Sequence, residues 1–301
     1  MAWSSASLSA DEVSNAAADN PLAVGLHALS GSSLAAEWND TGSLADTDDS
    51  ATGYPAANAA DFRGSVPTKP TGTDTDWYWC ADLGASGVPD VDMALLLGHN
   101  MGTLGGMTVT LQIADDSAFS TNLQTIATWS PGTSTLRLVS YTLKHTGSDA
   151  LRYSSLRYVR LRFQNAGAVT PSFGELWLGR RRQLTVRPTV GYDETEAVAA
   201  ATDFVADDRS SIRYQWADGI GRRVLDFPAL SSTDAATVKS LRDDCKRGGR
   251  PVLWCDKPAS EPDRTMLMLP PPELRRPNLG GSKRSFTMTL NEQDTFRELE
   301  A

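Results

Sequence analysis

Short runs in which apolar and polar residues strictly alternate, set between glycines and prolines, restrict the fold of this chain more than any other feature. Met107 to Ile113 reads Met-Thr-Val-Thr-Leu-Gln-Ile, and Tyr158 to Phe163 reads Tyr-Val-Arg-Leu-Arg-Phe, with arginines at every second position. A period of two puts the apolar set on one face of a pleated strand and leaves the other face wet. Trp77-Tyr78-Trp79-Cys80-Ala81-Asp82-Leu83 adds an aromatic-rich strand, and Phe173 to Leu178 a further one. Met93 to Leu97 (Met-Ala-Leu-Leu-Leu) is the longest strongly apolar run. It falls far short of the ~20 residues of a membrane-crossing helix, so no membrane span is expected. Many short strands with turn signals between them predict a β-sandwich over residues 54–179.

Before this block, residues 1–21 are rich in Ser, Ala and Asp, and read as an arm that orders against a partner or the body of the protein. Removing residues 1–20 is expected to weaken assembly without unfolding the rest. Leu22 to Trp38 reads as a strand-like stretch, followed by a polar loop from Asn39 to Gly53. After Gly179 the pattern changes. Arg182 to Pro188, Ile212 to Trp216 and Arg223 to Phe227 are short strand candidates. A helix is predicted over 233–247. Ser231, Ser232 or Thr233 caps it, Val238, Leu241 and Cys245 share one face, Lys246 and Arg247 sit in its last turn, and Gly248-Gly249 ends it. Strands follow at Pro251 to Cys255, Thr265 to Leu269 and Ser285 to Leu290, with a Pro- and Gly-rich loop from Pro270 to Ser282.

At 301 residues, with 40% hydrophobic and 22% charged side chains, the chain can bury two cores. The division expected is an arm over 1–21, a sandwich over 22–179 and a smaller unit over 180–301. A net charge of -9 argues against nucleic acid as a partner. Arg180-Arg181-Arg182 reads as a solvated strand end. The first residues, Met-Ala-Trp-Ser-Ser-Ala-Ser, lack the basic and apolar regions of a leader, which implies folding in a cytoplasm. Three cysteines (Cys80, Cys245 and Cys255) suit reduced thiols.

No catalytic or metal-binding constellation stands out, so no enzyme, cofactor or metal is expected. His27, His99 and His145 are scattered, and no Cys-x-x-Cys pair exists. Gly98 to Gly106 is glycine-rich but opens no obvious helix, so it reads as a turn. Asp46-Asp48-Asp49, Asp74-Asp76 and Asp115-Asp116 read as solvated loop charge without the pattern of a calcium loop. A glycan-cleaving pair of carboxylates is not marked anywhere. Two residues are candidates for a ligand or partner surface. Trp77 and Trp79 share a face at strand spacing and read as core, whereas Tyr78 points the other way, and Trp129 is a further ring able to stack on a sugar.

Residues 54–179 resemble the discoidin-like, galactose-binding-type jelly roll of coagulation-factor C domains. The resemblance rests on Tyr54-Pro55-Ala56-Ala57-Asn58-Ala59-Ala60-Asp61, on Trp77-Tyr78-Trp79 followed by Ala81-Asp82-Leu83-Gly84, and on Val109 to Phe119. Tyr158-Val159-Arg160-Leu161 and Gly174-Glu175-Leu176-Trp177-Leu178 complete it. Asp61-Phe62 departs from the family's usual Asp-Gly. Residues 180–301 resemble the hub domain of phage distal tail and minor tail proteins, through Arg223 to Phe227, the helix, Gly248-Gly249, Val252-Leu253-Trp254 and Ser285 to Leu290. Here the hub-like unit follows the sandwich, the reverse of the usual order.

Together the resemblances imply a mainly β protein: a jelly-roll β-sandwich followed by a smaller split-barrel-like β domain with one helix. They imply a structural virion protein of a tailed bacteriophage, a component of the tail tip or baseplate assembled in the host cytoplasm. It would form a threefold or sixfold ring of its own copies against tail-tube and tail-tip neighbours. The alternative is a carbohydrate-binding module that recognises a surface glycan.

Overall fold

A computed structural model of the chain describes residues 2–8, 22–24, 29, 34–44, 46–61, 66–88, 90–132, 137–140, 143, 150–186, 193–196, 201–205, 211–215, 221–244, 251–258, 260, 266–269 and 284–292. The fold is mainly β. The first half carries β1 (Ser4–Ser7), β2 (Leu22–Val24), β3 (Ala35–Asn39), β4 (Asp74–Asp82), β5 (Met93–Leu97) and a short helix α1 (Met101–Leu104). It continues through β6 (Thr108–Ala114), β7 (Gln124–Trp129), β8 (Arg137–Ser140), β9 (Leu151–Ser154), β10 (Tyr158–Val169) and β11 (Glu175–Gly179). Two antiparallel sheets make a sandwich, five-stranded in the order β3-β4-β10-β6-β7 and three-stranded in the order β11-β5-β8.

The alternating segments do what their period requires. In β10, Val159, Leu161 and Phe163 are buried, while Arg160 and Arg162 on the opposite face are half-buried. Leu161 lies between Trp79 of β4 and Leu111 of β6, all facing the core. Trp38, Phe163 and Phe173 cluster there, with ring centroids 5.2 to 5.8 Å apart, in the tilted and stacked geometries that aromatic quadrupoles favour. Buried indole N–H groups find acceptors: Trp38 Nε1 donates to Thr68 Oγ1 at 2.6 Å, and Trp79 Nε1 to the Ala56 carbonyl at 3.0 Å. The unbroken apolar run of β5 is buried at all five positions, so this strand is covered on both faces.

The second half holds β12 (Arg181–Gln183), β13 (Asp193–Glu196), β14 (Ala201–Val205), β15 (Ser211–Gln215), β16 (Gly221–Leu230), helix α2 (Ser232–Asp244), β17 (Val252–Cys255), β18 (Met266–Leu269) and β19 (Arg284–Glu292). Seven strands form one antiparallel sheet in the order β12-β2-β17-β18-β19-β16-β13, and β14 pairs with β15 as a separate hairpin. Ser231 caps α2: the Asp234 N–H donates to Ser231 Oγ at 3.0 Å and the Ser231 hydroxyl to Asp234 Oδ2 at 2.9 Å. Asp234 also accepts the N–H and hydroxyl of Thr185, which ties the helix to the segment after β12. Cys245 and the residues expected to close the helix lie outside the described residues, as does the loop from Pro270 to Ser282.

Two boundaries differ from the sequence reading. The stretch from Leu22 to Trp38 is not one strand of the sandwich. Leu22–Val24 pairs with β12 on one side and β17 on the other, inside the seven-stranded sheet, and only Ala35–Asn39 joins the sandwich. A division at residue 22 therefore does not follow the sheets. The arm is also partly built in: β1 pairs with β9 from Ser4–Ser154 to Ser7–Leu151, and the Trp3 ring meets Tyr153 edge-on at 5.5 Å.

Candidate functional site

The outer face of the five-stranded sheet gathers the polar residues that alternate with the core. Register places Asp76, Tyr78 and Cys80 of β4 beside Gln164, Arg162 and Arg160 of β10, and these beside Thr108, Thr110 and Gln112 of β6. The half of this face toward Asp82 is roofed. Phe119 packs with Cys80 and Ala114 there, and Leu44, Tyr78 and Tyr158 lie against them. The Leu44 N–H donates to the Ser117 carbonyl, joining the loop after β3 to the loop between β6 and β7. The half with Asp76, Arg162, Gln164 and Thr108 lies outside that cluster.

Charge on this face is arranged unevenly. Arg162 Nε donates to Asp76 Oδ1 at 2.9 Å, and its second nitrogen reaches Oδ2. The Tyr78 hydroxyl donates to the same Asp76 Oδ2 at 3.2 Å. Burial, with Asp76 alongside, raises the Tyr78 phenol above its ordinary range. Arg157 grips Asp82 with two hydrogen bonds of 3.0 and 2.9 Å, which lower the Asp82 carboxyl. Arg160, between these pairs, meets no carboxylate at ion-pair distance among the described residues. Its Nε donates to Gln112 Oε1 and its Nη1 to the Gly42 carbonyl, both at 2.7 Å. Its guanidinium lies 5.1 Å from the Tyr78 ring centre and 4.8 Å from that of Phe119. Burial shifts Arg160 downward. Gly42, at φ +77°, is a strained position for a side chain: a Cβ there would stand 2.7 Å from the Arg160 guanidinium, which would have to shift, and 3.0 Å from the Tyr78 ring.

The two ring candidates part company. Tyr78 is half-buried on this outer face, in contact with Arg160 and Arg162. Trp129 is 7% exposed and belongs to the sandwich core, so its ring offers no open platform for a sugar. A register shift between Leu111 and Gln112 explains this. It leaves Ile126 and Ala127 buried side by side and brings Trp129 opposite Val109 on the core face. Trp77 and Trp79 are core, as their shared face implies.

The other candidate groups are used internally. Asp48 Oδ1 accepts the Trp38 N–H and both donors of Ser50, and Asp115 accepts the Trp3 N–H and the Asn122 amide. Among the described residues, no three of His, Cys, Asp and Glu converge as metal ligands would. His99 is buried and accepts the Met101 N–H through Nδ1, while His27 and His145 lie outside the described residues. Burial pushes the Cys80 thiol up to about 12, which removes it as a nucleophile at neutral pH. Cys255 is buried. The glycine-rich stretch from Gly98 to Gly106 forms a turn around α1. The Asn100 amide binds the Thr170 carbonyl and the Ser172 N–H, pinning this turn to the segment after β10. The Arg180–Arg182 run is not freely solvated: Arg181 is buried, and its N–H donates to the buried Asp92 carboxylate at 2.7 Å.

No protein-family model matches the chain, and no curated protein matches it. Solved structures do resemble half of it. Chitosan-binding module 1 of a chitosanase/glucanase from Paenibacillus sp. IK-5 is 16% identical, covering 50% of this chain and 97% of the module, with a TM-score of 0.34. The lectin domain of lectinolysin, solved with Lewis B antigen, is 20% identical over 51% of this chain and 96% of that domain, with a TM-score of 0.33. A Streptococcus pneumoniae fucose-binding module is 14% identical over 52% and 95%, with a TM-score of 0.32. The phage-tail reading gains no support from these comparisons.

Proposed function

We propose that the sandwich is a non-catalytic carbohydrate-binding module and that the outer face of its five-stranded sheet is the recognition surface. The observation that carries this reading is the fixed set of planar polar groups on that face. Arg160 lies against two aromatic rings with donors left over, fixed by the buried Gln112 and beside the Asp76–Arg162 pair. Polar groups already held by their neighbours lose little freedom on binding, which is what recognition of hydroxyl-rich ligands needs. Thr108 and Gln164 extend the same face with further donors and acceptors. The test is an oligosaccharide array probed with the complete chain, alongside an Arg162→Ala, Gln164→Ala double variant. Binding that the double variant loses supports the face. Binding by neither protein rejects the reading.

A second reading, a ring-forming tail-tip component, is favoured by one feature of the seven-stranded sheet. Among the described residues its order ends at β12 and β13. These are Arg181–Gln183 and Asp193–Glu196. Edge strands suit head-to-tail contact between copies. Light scattering after size exclusion separates the readings: three or six copies support the ring, and a monomer at every concentration removes it.

A further inference from the structure

We infer that the saccharide recognised on the outer sheet face carries a carboxylate, as a uronic acid does, and that Arg160 receives it. The inference rests on the carbohydrate-binding reading and adds the chemical class of the ligand.

Arg160 and Arg162 lie on this side of β10 and Arg157 directly precedes the strand; two of the three are already neutralised. Arg157 is paired with Asp82 and Arg162 with Asp76. Arg160 is the exception: both of its hydrogen bonds go to neutral oxygens, those of Gln112 and Gly42. A guanidinium has five N–H donors. Those of Arg160 beyond these two bonds have no acceptor among the described residues. Withdrawing a cation from water without a counter-charge is unfavourable, and the rings of Tyr78 and Phe119 offset that only in part. A ligand anion would complete the compensation.

The geometry favours a carboxylate over a diffuse negative field. With Nε and one Nη1 proton committed, the donors left over lie on the Nη groups, whose paired N–H bonds match the two oxygens of a carboxylate. Asp76, whose charge acts on Arg160, is held by Arg162 and by the Tyr78 hydroxyl, so it is not free to turn toward Arg160. The chain as a whole is acidic, with a net charge of -9. A cation left uncompensated in that setting is a local feature of the face, not part of a general basic surface.

The test is titration calorimetry of the complete chain at 0.15 M salt with three probes: trigalacturonic acid, its methyl ester and neutral galactotriose. The acid is expected to bind at least ten times more tightly than its ester. Arg160→Met, which keeps the apolar stem, is expected to abolish that preference, so that acid and ester bind the variant equally. Arg160 also holds Gly42 in place, so the variant's thermal transition is measured first. If the variant is unfolded, the acid-against-ester comparison on the unaltered chain decides alone. Equal binding of acid and ester, or tighter binding of galactotriose, overturns the inference and leaves the carbohydrate reading standing. Absence of binding to all three probes and to a broad oligosaccharide array overturns both.

Discussion

At the scale of single residues, the buried polar groups set the terms. Asp92 is the sharpest case. Its carboxylate is fully buried, accepts the Arg181 N–H at 2.7 Å, and faces the Nε atoms of Arg152 and Arg181 at 3.8 and 3.9 Å. Burial outweighs the pull of those guanidinium groups, and the group is pushed up to about 6 from an unfolded value of 3.8. The native state therefore binds more protons at this site than the unfolded chain between these two values. The site's contribution is most favourable below 3.8 and is lost as pH rises through 6, a swing on the order of 3 kcal/mol at about 1.4 kcal/mol per unit. Asp92→Asn should flatten the dependence of Tm on pH between 4 and 6, measured by calorimetry. An unchanged slope would place the titration elsewhere. Thr68 gives a second prediction. Its hydroxyl is the acceptor for the buried Trp38 N–H, and Thr68→Val would strand that donor in the core. The expected loss in urea unfolding is ~1–3 kcal/mol; a loss under 0.5 would mean that the indole finds another acceptor.

At the scale of elements, legibility in the sequence follows the regularity of the period. Residue types alternate over Thr108–Ile113 in β6 and Tyr158–Phe163 in β10, and faces can be assigned there from the sequence alone; the same parity in β4 separates Tyr78 from Trp77 and Trp79. β7 could not be read so: the bulge at Ile126 within it leaves two consecutive residues buried, and parity counted along the strand no longer says which face Trp129 takes. Arg160 was visible only as one of several arginines on a wet face. Its lack of a carboxylate partner depends on where Asp76 and Asp82 fall in the neighbouring strand, which local pattern does not encode. The helix was legible because its start is chemical. Ser231→Ala removes the hydroxyl that caps α2 and should cost about 1 kcal/mol, within the ~0.5–2 kcal/mol range for such caps. Gly87→Ala should cost more than Gly53→Ala, measured by the same unfolding. Both positions have positive φ, but a Cβ at 87 would stand 2.4 Å from the Ser155 carbonyl carbon, whereas position 53 has open space. Equal costs would show that the chain at Ser155 gives way.

At the scale of the whole molecule, the path of the chain joins the two β units. It contributes β1 to a two-stranded sheet with β9, then β2 to the seven-stranded sheet, returns to build the sandwich between β3 and β11, and re-enters the seven-stranded sheet at β12. Three residues, Leu22–Val24, stand between β12 and β17 and satisfy backbone groups on both. Without them β12 has no neighbour in that sheet and β17 loses one of its two. A three-residue strand gives no periodic signal, so the sequence reading assigned it to the nearer unit and placed a clean division at residue 180. With Leu22–Val24 in the seven-stranded sheet, residues 180–301 alone lack one of its strands. A fragment of residues 180–301 should therefore lack a cooperative thermal transition in circular dichroism, whereas the complete chain shows one. A double substitution, Leu22→Pro with Val24→Pro, should destabilise the seven-stranded sheet in the complete chain, since proline removes the N–H groups that β2 supplies to its ladders. Hydrogen exchange would then show lost protection in β17, far from the substitutions in sequence. A fragment that melts sharply on its own would mean that β2 only decorates the sheet, and the two units would then be separable after all.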